Sequence, residues 1–359
     1  MPDAHKTRLQ KLRALIAERE LGQLLITNLV NVRYLSGFTG TNGTLLIGAG
    51  EAVLLTDFRY TVQAAEQSPD FTIVDGANEP RRALVSRFAP GGRVGFDDAD
   101  LRVQSFENLR RELAGGVELV PAAGLVEQLR LVKDDHEIDA IAHAAAVGDS
   151  IYATLAEEGL AGRRESDVAW RIESLARERG ASGVSFPSIV AAGAHGALPH
   201  AEPRDRKIEP GELVVLDLGV IVNGYCSDCT RTFASGPVSA MAQEVYEIVR
   251  EAQQTALDAI AVGADCKAVD DAARDVIAAA GYGECFGHST GHGVGVEVHE
   301  LPTLSARSET ALELGNVVTV EPGIYIDREF GVRIEDLVVV AADGPRILTP
   351  YSKKLTIVD

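Results

Sequence analysis

Residues Gly211–Phe233 read GELVVLDLGVIVNGYCSDCTRTF. Two apolar runs flank Asn223-Gly224, and Asn-Gly between strand-like segments is the strongest short-range hairpin signal. A two-residue turn there pairs Val222 with Tyr225 and, further out, Asp217 with Thr230. Asp228 lies two residues from Thr230 and shares its face, so the two aspartates are diagonal neighbours with Cβ atoms about 7 Å apart or less. An aspartate set in VVLDLGVIV is strongly disfavoured by burial unless a cation or hydrogen-bonding partners meet it. The pattern predicts a positive charge at this face, with the two carboxylates placed to share a metal pair. Cys226 and Cys229 flank Asp228 in a CxxC spacing, but residues three apart on a strand point to opposite faces and no second CxxC completes a zinc cage. They are read as filler.

Two further constellations lie downstream. FGHSTGHGVGVEVHE (Phe286–Glu300) places His288, His292 and His299 in a glycine-rich segment. His288 and His292 have the four-residue separation of a zincin helix, but Ser289 follows His288 and the glycines oppose a helix. Histidines beside glycines that permit close backbone approach point instead to a site in a loop. TVEPGIY (Thr319–Tyr325) sets Glu321 at a strand end before a Pro-Gly turn, and GVRIEDLVVV (Gly331–Val340) begins an apolar run at Glu335. Both glutamates interrupt β-type segments, as Asp217 does, so the three constellations read together as one site.

The chain's 359 residues exceed what one hydrophobic core usually serves, so two domains are expected, 1–129 and 130–359. The first third alternates QLLIT, TLLIG, AVLLT, FTIV and RVGF with helical stretches, the pattern of an α/β domain. Leu125–Gly159 reads as largely helical. Helices expected over Glu165–Arg179, Ser239–Ala261 and Cys266–Ala280 then alternate with strands, so the fold class is α/β (α+β) throughout. With 34 basic against 53 acidic side chains the net charge is −19, which repels phosphate backbones and argues against nucleic acid as a partner. The N-terminus carries charges throughout and reads as an amphipathic helix rather than a signal peptide. No apolar run approaches membrane-spanning length, and four cysteines do not suggest a disulfide framework. A reducing cytoplasm is the expected location.

The motifs LPHAEP, LDLGVIVNGYCSDCTRTF, GHSTGHGVGVEVHE, TVEPGIY and GVRIED, spanning Leu198 to Asp336, resemble in order and spacing those of the pita-bread metallopeptidases, the family of methionine aminopeptidase, aminopeptidase P and prolidase. The resemblance implies Asp217, Asp228, His292, Glu321 and Glu335 as metal ligands, with Asp228 and Glu335 bridging two divalent ions. Four carboxylates and a neutral imidazole balance two such ions in charge, and oxygen-rich ligation suits Mn²⁺ or Co²⁺, or Zn²⁺. It also implies Glu321 as proton shuttle, His200 and His299 against the substrate carbonyl, His288 and Tyr325 lining the pocket, and Arg333 orienting Glu335.

Some 125 residues precede the catalytic part, and NVRYLSGFTG (Asn31–Gly40) and DFRY (Asp57–Tyr60) resemble the creatinase-like N-terminal domain of aminopeptidase P and prolidase. This resemblance implies cleavage before proline in short peptides, and a homodimer. Creatinase itself is a metal-free relative lacking the ligand set kept here. A dipeptidase must bind the free carboxylate of proline, which calls for an arginine. Arg307, fourteen residues before Glu321, is the candidate, against the alternative that it is a solvated loop residue. Prolidase is the expected activity, with aminopeptidase P action on longer peptides as the alternative and a non-catalytic peptide-binding module as a remote one.

Overall fold

A computed structural model describes residues 2–76, 79–113 and 116–358. The chain divides into two compact units, Met1–Leu129 and Arg130–Asp359. The early part contains α1 (Pro2–Glu18), β1 (Gln23–Ile26), α2 (Leu29–Ser36), β2 (Thr44–Gly48), β3 (Ala52–Thr56), α3 (Thr61–Gln67), β4 (Thr72–Asp75), α4 (Pro80–Val85), β5 (Arg93–Phe96), α5 (Val103–Glu112) and β6 (Glu118–Pro121). Its strands form one mixed sheet in the order β4-β3-β2-β1-β5-β6. The apolar runs of β1, β2, β3 and β5 pack with Leu84, Phe88 and Leu109 into its core.

The segment Leu125–Gly159 is two helices, α6 (Leu125–Leu131) and α7 (Asp135–Glu158), rather than one. The break falls where Asp134 caps α7: its side chain accepts from the Glu137 N–H while Glu137 reaches back to the Asp134 N–H. The second unit continues with α8 (Glu165–Glu178), β7 (Gly183–Val184), β8 (Ile189–Ala192), β9 (Glu212–Leu218), β10 (Val220–Val222), β11 (Tyr225–Cys226), β12 (Cys229–Ser235), α9 (Ala240–Asp258) and α10 (Cys266–Ala279). It closes with β13 (Gly291–Gly293), β14 (Glu300–Leu304), β15 (Val317–Val320), β16 (Gly323–Ile326), β17 (Phe330–Arg333), β18 (Asp336–Ala341), β19 (Gly344–Ile347) and β20 (Ile357–Val358). Ser239 and Asp265 cap α9 and α10 through side-chain oxygens.

Two sheets carry the site, ordered β20-β12-β9-β8 and β14-β13-β15-β18-β19. Buried side chains of α7 and α8 pack against the first, and those of α9 and α10 pack against the second and the β16-β17 hairpin. Among the described residues no helix is long and apolar enough to cross a membrane.

The decisive hairpin has the register its turn dictates. Asn223 and Gly224 both adopt positive φ, 53° and 84°, as a type I′ turn requires, and Asp217 pairs with Thr230. The two arms are not continuous strands, however. They break at Gly219 and at Ser227–Asp228, so the tip (β10, β11) joins β7 in a separate three-stranded sheet. The close approach at the break needs glycine: a Cβ on Gly219 would lie 2.0 Å from the Ser227 carbonyl oxygen.

Candidate metal centre

Asp228, Glu321 and Glu335 stand where a strand begins, ends or breaks, whereas Asp217 is held within the ladder. Asp217 lies on β9 between β8 and β12, and Asp228 occupies the break before β12. Glu321 follows β15, its N–H donating to the Thr290 carbonyl at 2.8 Å. Glu335 precedes β18, its N–H donating to the Thr230 carbonyl at 3.1 Å. Asp217, Asp228 and Glu335 are all buried, and each offers an oxygen within 4.8 Å of the others. His292 comes from β13, where a Cβ on Gly291 would lie 1.9 Å from the Thr319 carbonyl oxygen. Its Nε2 stands 3.3 Å from Glu321 Oε1 and 3.6 Å from Asp228 Oδ2.

The electrostatics are those of a carboxylate cluster needing cations. Burial, reinforced by neighbouring carboxylates, pushes Asp228 and Glu335 well above the usual carboxylate range. Burial also raises Asp217, against the opposing charge of Arg333. Glu321 goes the other way: burial opposes ionisation, but the hydrogen bond and charge of His292 outweigh it and hold the group at about 2. His292 is raised correspondingly, Glu321 overcoming the effect of burial. Two buried oxygens, Asp217 Oδ1 and Glu335 Oε1, have no hydrogen-bond partner. Unpaired buried oxygens of this kind are expensive, and divalent cations bound by an oxygen-rich donor set would satisfy both. The residues present therefore fit the metals that the sequence motifs imply. His292 Nδ1 faces the Gly293 carbonyl at 3.0 Å; since a carbonyl only accepts, Nδ1 carries a proton, and loss of the Nε2 proton now shared with Glu321 would leave that nitrogen's lone pair for a cation.

Arg333 reaches Glu335 only indirectly. It does not bond Glu335, but donates to Asp217 Oδ2 (2.6 Å), Thr230 Oγ1 (2.9 Å), Tyr325 Oη (2.8 Å) and the Pro199 carbonyl (3.1 Å). Thr230 makes the link, donating from the same hydroxyl to Glu335 Oε2 at 2.8 Å. The reason is register: Thr230 faces Asp217 across the hairpin and lies between the arginine and the glutamate. Burial opposes the charge of Arg333, but Tyr325, Asp217 and Glu321 raise its pKa well above the ordinary value.

The histidines fall around this core. His288 Nε2 meets Tyr325 Oη at 2.9 Å, and Nδ1 donates to the Ser289 carbonyl at 2.8 Å. Arg333, Tyr325 and His288 thus form one hydrogen-bonded chain, with the imidazole neutral and its pKa lowered, chiefly by burial. His299 packs edge-on against His292, ring centroids 4.4 Å apart. His200 is exposed. Arg307 is also exposed, and its guanidinium has no hydrogen bond or ion pair among the described residues.

Sequence reading missed three contributors. Thr230 entered only as the residue opposite Asp217; a threonine facing a buried carboxylate was the available signal. Thr319 donates to Glu321 Oε1 at 3.1 Å and accepts from the His292 N–H at 3.1 Å. Arg231, 1% exposed on the rear of β12, donates to the main-chain oxygens of Thr230, Glu335, Thr349 and Tyr351 and pairs with Asp336 at 2.9 Å.

Comparison with known proteins gives a family-level match. Residues 131–342 match the model of metallopeptidase family M24, and residues 8–132 match the Creatinase/Prolidase N-terminal domain. An uncharacterized peptidase of Bacillus subtilis, YqhT, is 42% identical over 352 residues, covering 98% of this chain and 99% of that protein. The solved Xaa-Pro dipeptidase from Bacillus anthracis aligns with a TM-score of 0.95 at 39% identity, over 99% of this chain and 100% of that one. The X-Pro aminopeptidase from Thermotoga maritima aligns with a TM-score of 0.88 at 35% identity, over 95% and 99%.

Proposed function

Because the chain belongs to metallopeptidase family M24, with a creatinase-type N-terminal domain before a pita-bread peptidase domain, we propose that it hydrolyses the peptide bond preceding proline in short peptides, Xaa-Pro dipeptides above all. The observation that carries this reading is the buried Asp217–Asp228–Glu335 cluster with its unpaired oxygens, on a scaffold aligning along its whole length with an Xaa-Pro dipeptidase. A second reading, removal of the N-terminal residue from longer Xaa-Pro peptides, is favoured by the comparable likeness to an X-Pro aminopeptidase.

Asp217, Asp228, His292, Glu321 and Glu335 would hold two divalent ions, Mn²⁺ or Co²⁺ suiting the donors best. Such ions supply Lewis acidity and water acidified toward neutral pH. The chain's own groups do the rest. Glu321 accepts the water's proton at a carboxylate oxygen and delivers it to the proline nitrogen, which has no N–H and must gain one to leave. His200 and His299 donate to the carbonyl oxygen as charge builds there. Tyr325, aligned by Arg333 and His288, lines the pocket, and Arg307 receives the free carboxylate of a dipeptide. The active species is a homodimer.

Hydrolysis of Ala-Pro and Ala-Pro-Ala by protein reconstituted with Mn²⁺, Co²⁺ or Zn²⁺ tests the reading. Cleavage of neither peptide with any of the metals refutes it, and the ratio of the two rates separates the two readings. Arg307→Ala should raise KM steeply for the dipeptide and change the tripeptide little; equal effects on both would remove Arg307 from carboxylate binding.

A further inference from the structure

Glu165 is the first residue of α8, lies more than thirty positions from any candidate metal ligand, and is 0% exposed. A buried carboxylate needs its lone pairs filled, and here all are. Oε1 accepts from the Ala192 N–H at 3.0 Å and from Arg206 Nη1 at 3.2 Å. Oε2 accepts from the Arg204 N–H at 3.0 Å and meets His195 Nδ1 at 2.8 Å. Ala192 ends β8, and Arg204 is where the chain returns beside α8, its carbonyl accepting from the Ser166 N–H at 3.2 Å. Between them runs the loop Gly193–Pro203, so one carboxylate ties both ends of that loop together and holds His195 inside it.

The far side of the loop is fixed as well. Gly196 lies against β17 so closely that a Cβ on Gly331 would come within 1.9 Å of its carbonyl oxygen. Arg333, which also bonds Asp217, donates to the Pro199 carbonyl at 3.1 Å. The next residue is His200, exposed and without a side-chain hydrogen bond among the described residues. Nothing about the imidazole itself fixes where it stands. Its position comes from the loop backbone, pinned to Arg333 at one side and to Glu165 at the neck.

We propose that Glu165 is a positioning residue for His200. It sets the loop against the carboxylate cluster, and its loss is felt at His200 rather than at the metals. The inference rests on the reading of His200 as a substrate-carbonyl donor. Glutamine is nearly isosteric but offers one acceptor oxygen and an NH₂ donor, so at least one contact, with the Arg204 N–H or with the Ala192 N–H and Arg206, becomes donor against donor. The neck then spreads. A misplacement of about 1 Å can cost on the order of 100-fold in rate.

The test is a double-mutant cycle on the full-length, metal-reconstituted protein, comparing wild type, Glu165→Gln, His200→Ala and the double variant on Ala-Pro, with kcat, KM and bound metal measured for each. Glu165→Gln should lower kcat about 10- to 100-fold with metal content unchanged, and should cost little further in the His200→Ala background, because residues acting through one another are not additive. His195→Leu removes one of the four contacts and carries the same cycle in a milder form should Glu165→Gln fail to fold. A loss of equal size with and without His200, or a wild-type kcat for Glu165→Gln, overturns the inference alone. A wild-type kcat for His200→Ala, or an inactive wild-type chain, overturns the underlying reading and the inference with it.

Discussion

Thr230→Val is the most direct probe of how the site is held. The hydroxyl is fully buried, donates to Glu335 Oε2 at 2.8 Å and accepts from Arg333 Nε at 2.9 Å. Valine keeps the shape and removes both bonds. Losing a hydrogen bond to a charged group and leaving a buried guanidinium donor unsatisfied should together lower the unfolding free energy by about 2 to 4 kcal/mol. Glu335 loses the hydrogen bond that favours its ionised form, so its already raised pKa moves further up, and metal affinity should fall by about 10- to 100-fold. Urea unfolding followed by circular dichroism at fixed Mn²⁺ measures the first effect, and isothermal titration of metal-free protein the second. Thr230→Ser keeps the hydroxyl and gives up one methyl group, at about 1 kcal/mol. If serine and valine destabilise equally and neither changes metal affinity, the hydroxyl is not the link between Arg333 and Glu335.

The metal-free protein should also be sensitive to alkali. Burial and neighbouring carboxylates raise Asp228 and Glu335, so the folded state keeps protons that the unfolded chain has released, and stability falls as pH climbs from the ordinary carboxylate range through the raised values. His292, raised by Glu321 against its burial, adds in the same direction. Bound divalent ions remove this cost, so the gap in thermal midpoint between loaded and metal-free protein should widen from about pH 5 to about pH 8; a gap that narrows would contradict the assignment. Elsewhere in the second unit, Glu300 pairs with Lys133 at 3.1 Å and Arg130 at 2.8 Å, all three side chains at most 4% exposed. Glu300→Ala leaves the buried Lys133 ammonium without that carboxylate and should destabilise by about 3 to 5 kcal/mol in chemical denaturation. A change below about 1 kcal/mol would mean that water relieves the cluster.

What could be read from the sequence was what has a local rule. The Asn223-Gly224 turn sets a register in which neither arm inserts an extra residue, so parity alone places Asp217 opposite Thr230 even across the break at Gly219. Ser239 shows as a helix start because capping is a short-range exchange of hydrogen bonds, whereas the cap at Asp134 went unread inside Leu125–Gly159. The contacts that escaped are long-range. Arg333 reaches Asp217 116 residues away, and nothing around either residue distinguishes that pairing from one with Glu335 two positions along. Glu165 has the look of an ordinary acidic residue in a first helical turn, where the helix dipole favours carboxylates anyway. Its bonds to Ala192, His195 and Arg204 depend on where β8 ends, which periodicity leaves uncertain by several residues.

The centre forms where two stretches more than a hundred residues apart cross, Thr230 bonding Glu335 across 105 positions. The hairpin can bring Asp217 and Asp228 together locally, but the three-carboxylate cluster is incomplete until that crossing closes, and long-range closure is the slow part of folding. Divalent ions therefore find little to bind in a partly folded chain and enter late. Interactions made after the folding transition state slow unfolding rather than speed folding, so the metals would act chiefly on the lifetime of the finished fold. Chelation would then shorten that lifetime while leaving the refolding rate nearly unchanged.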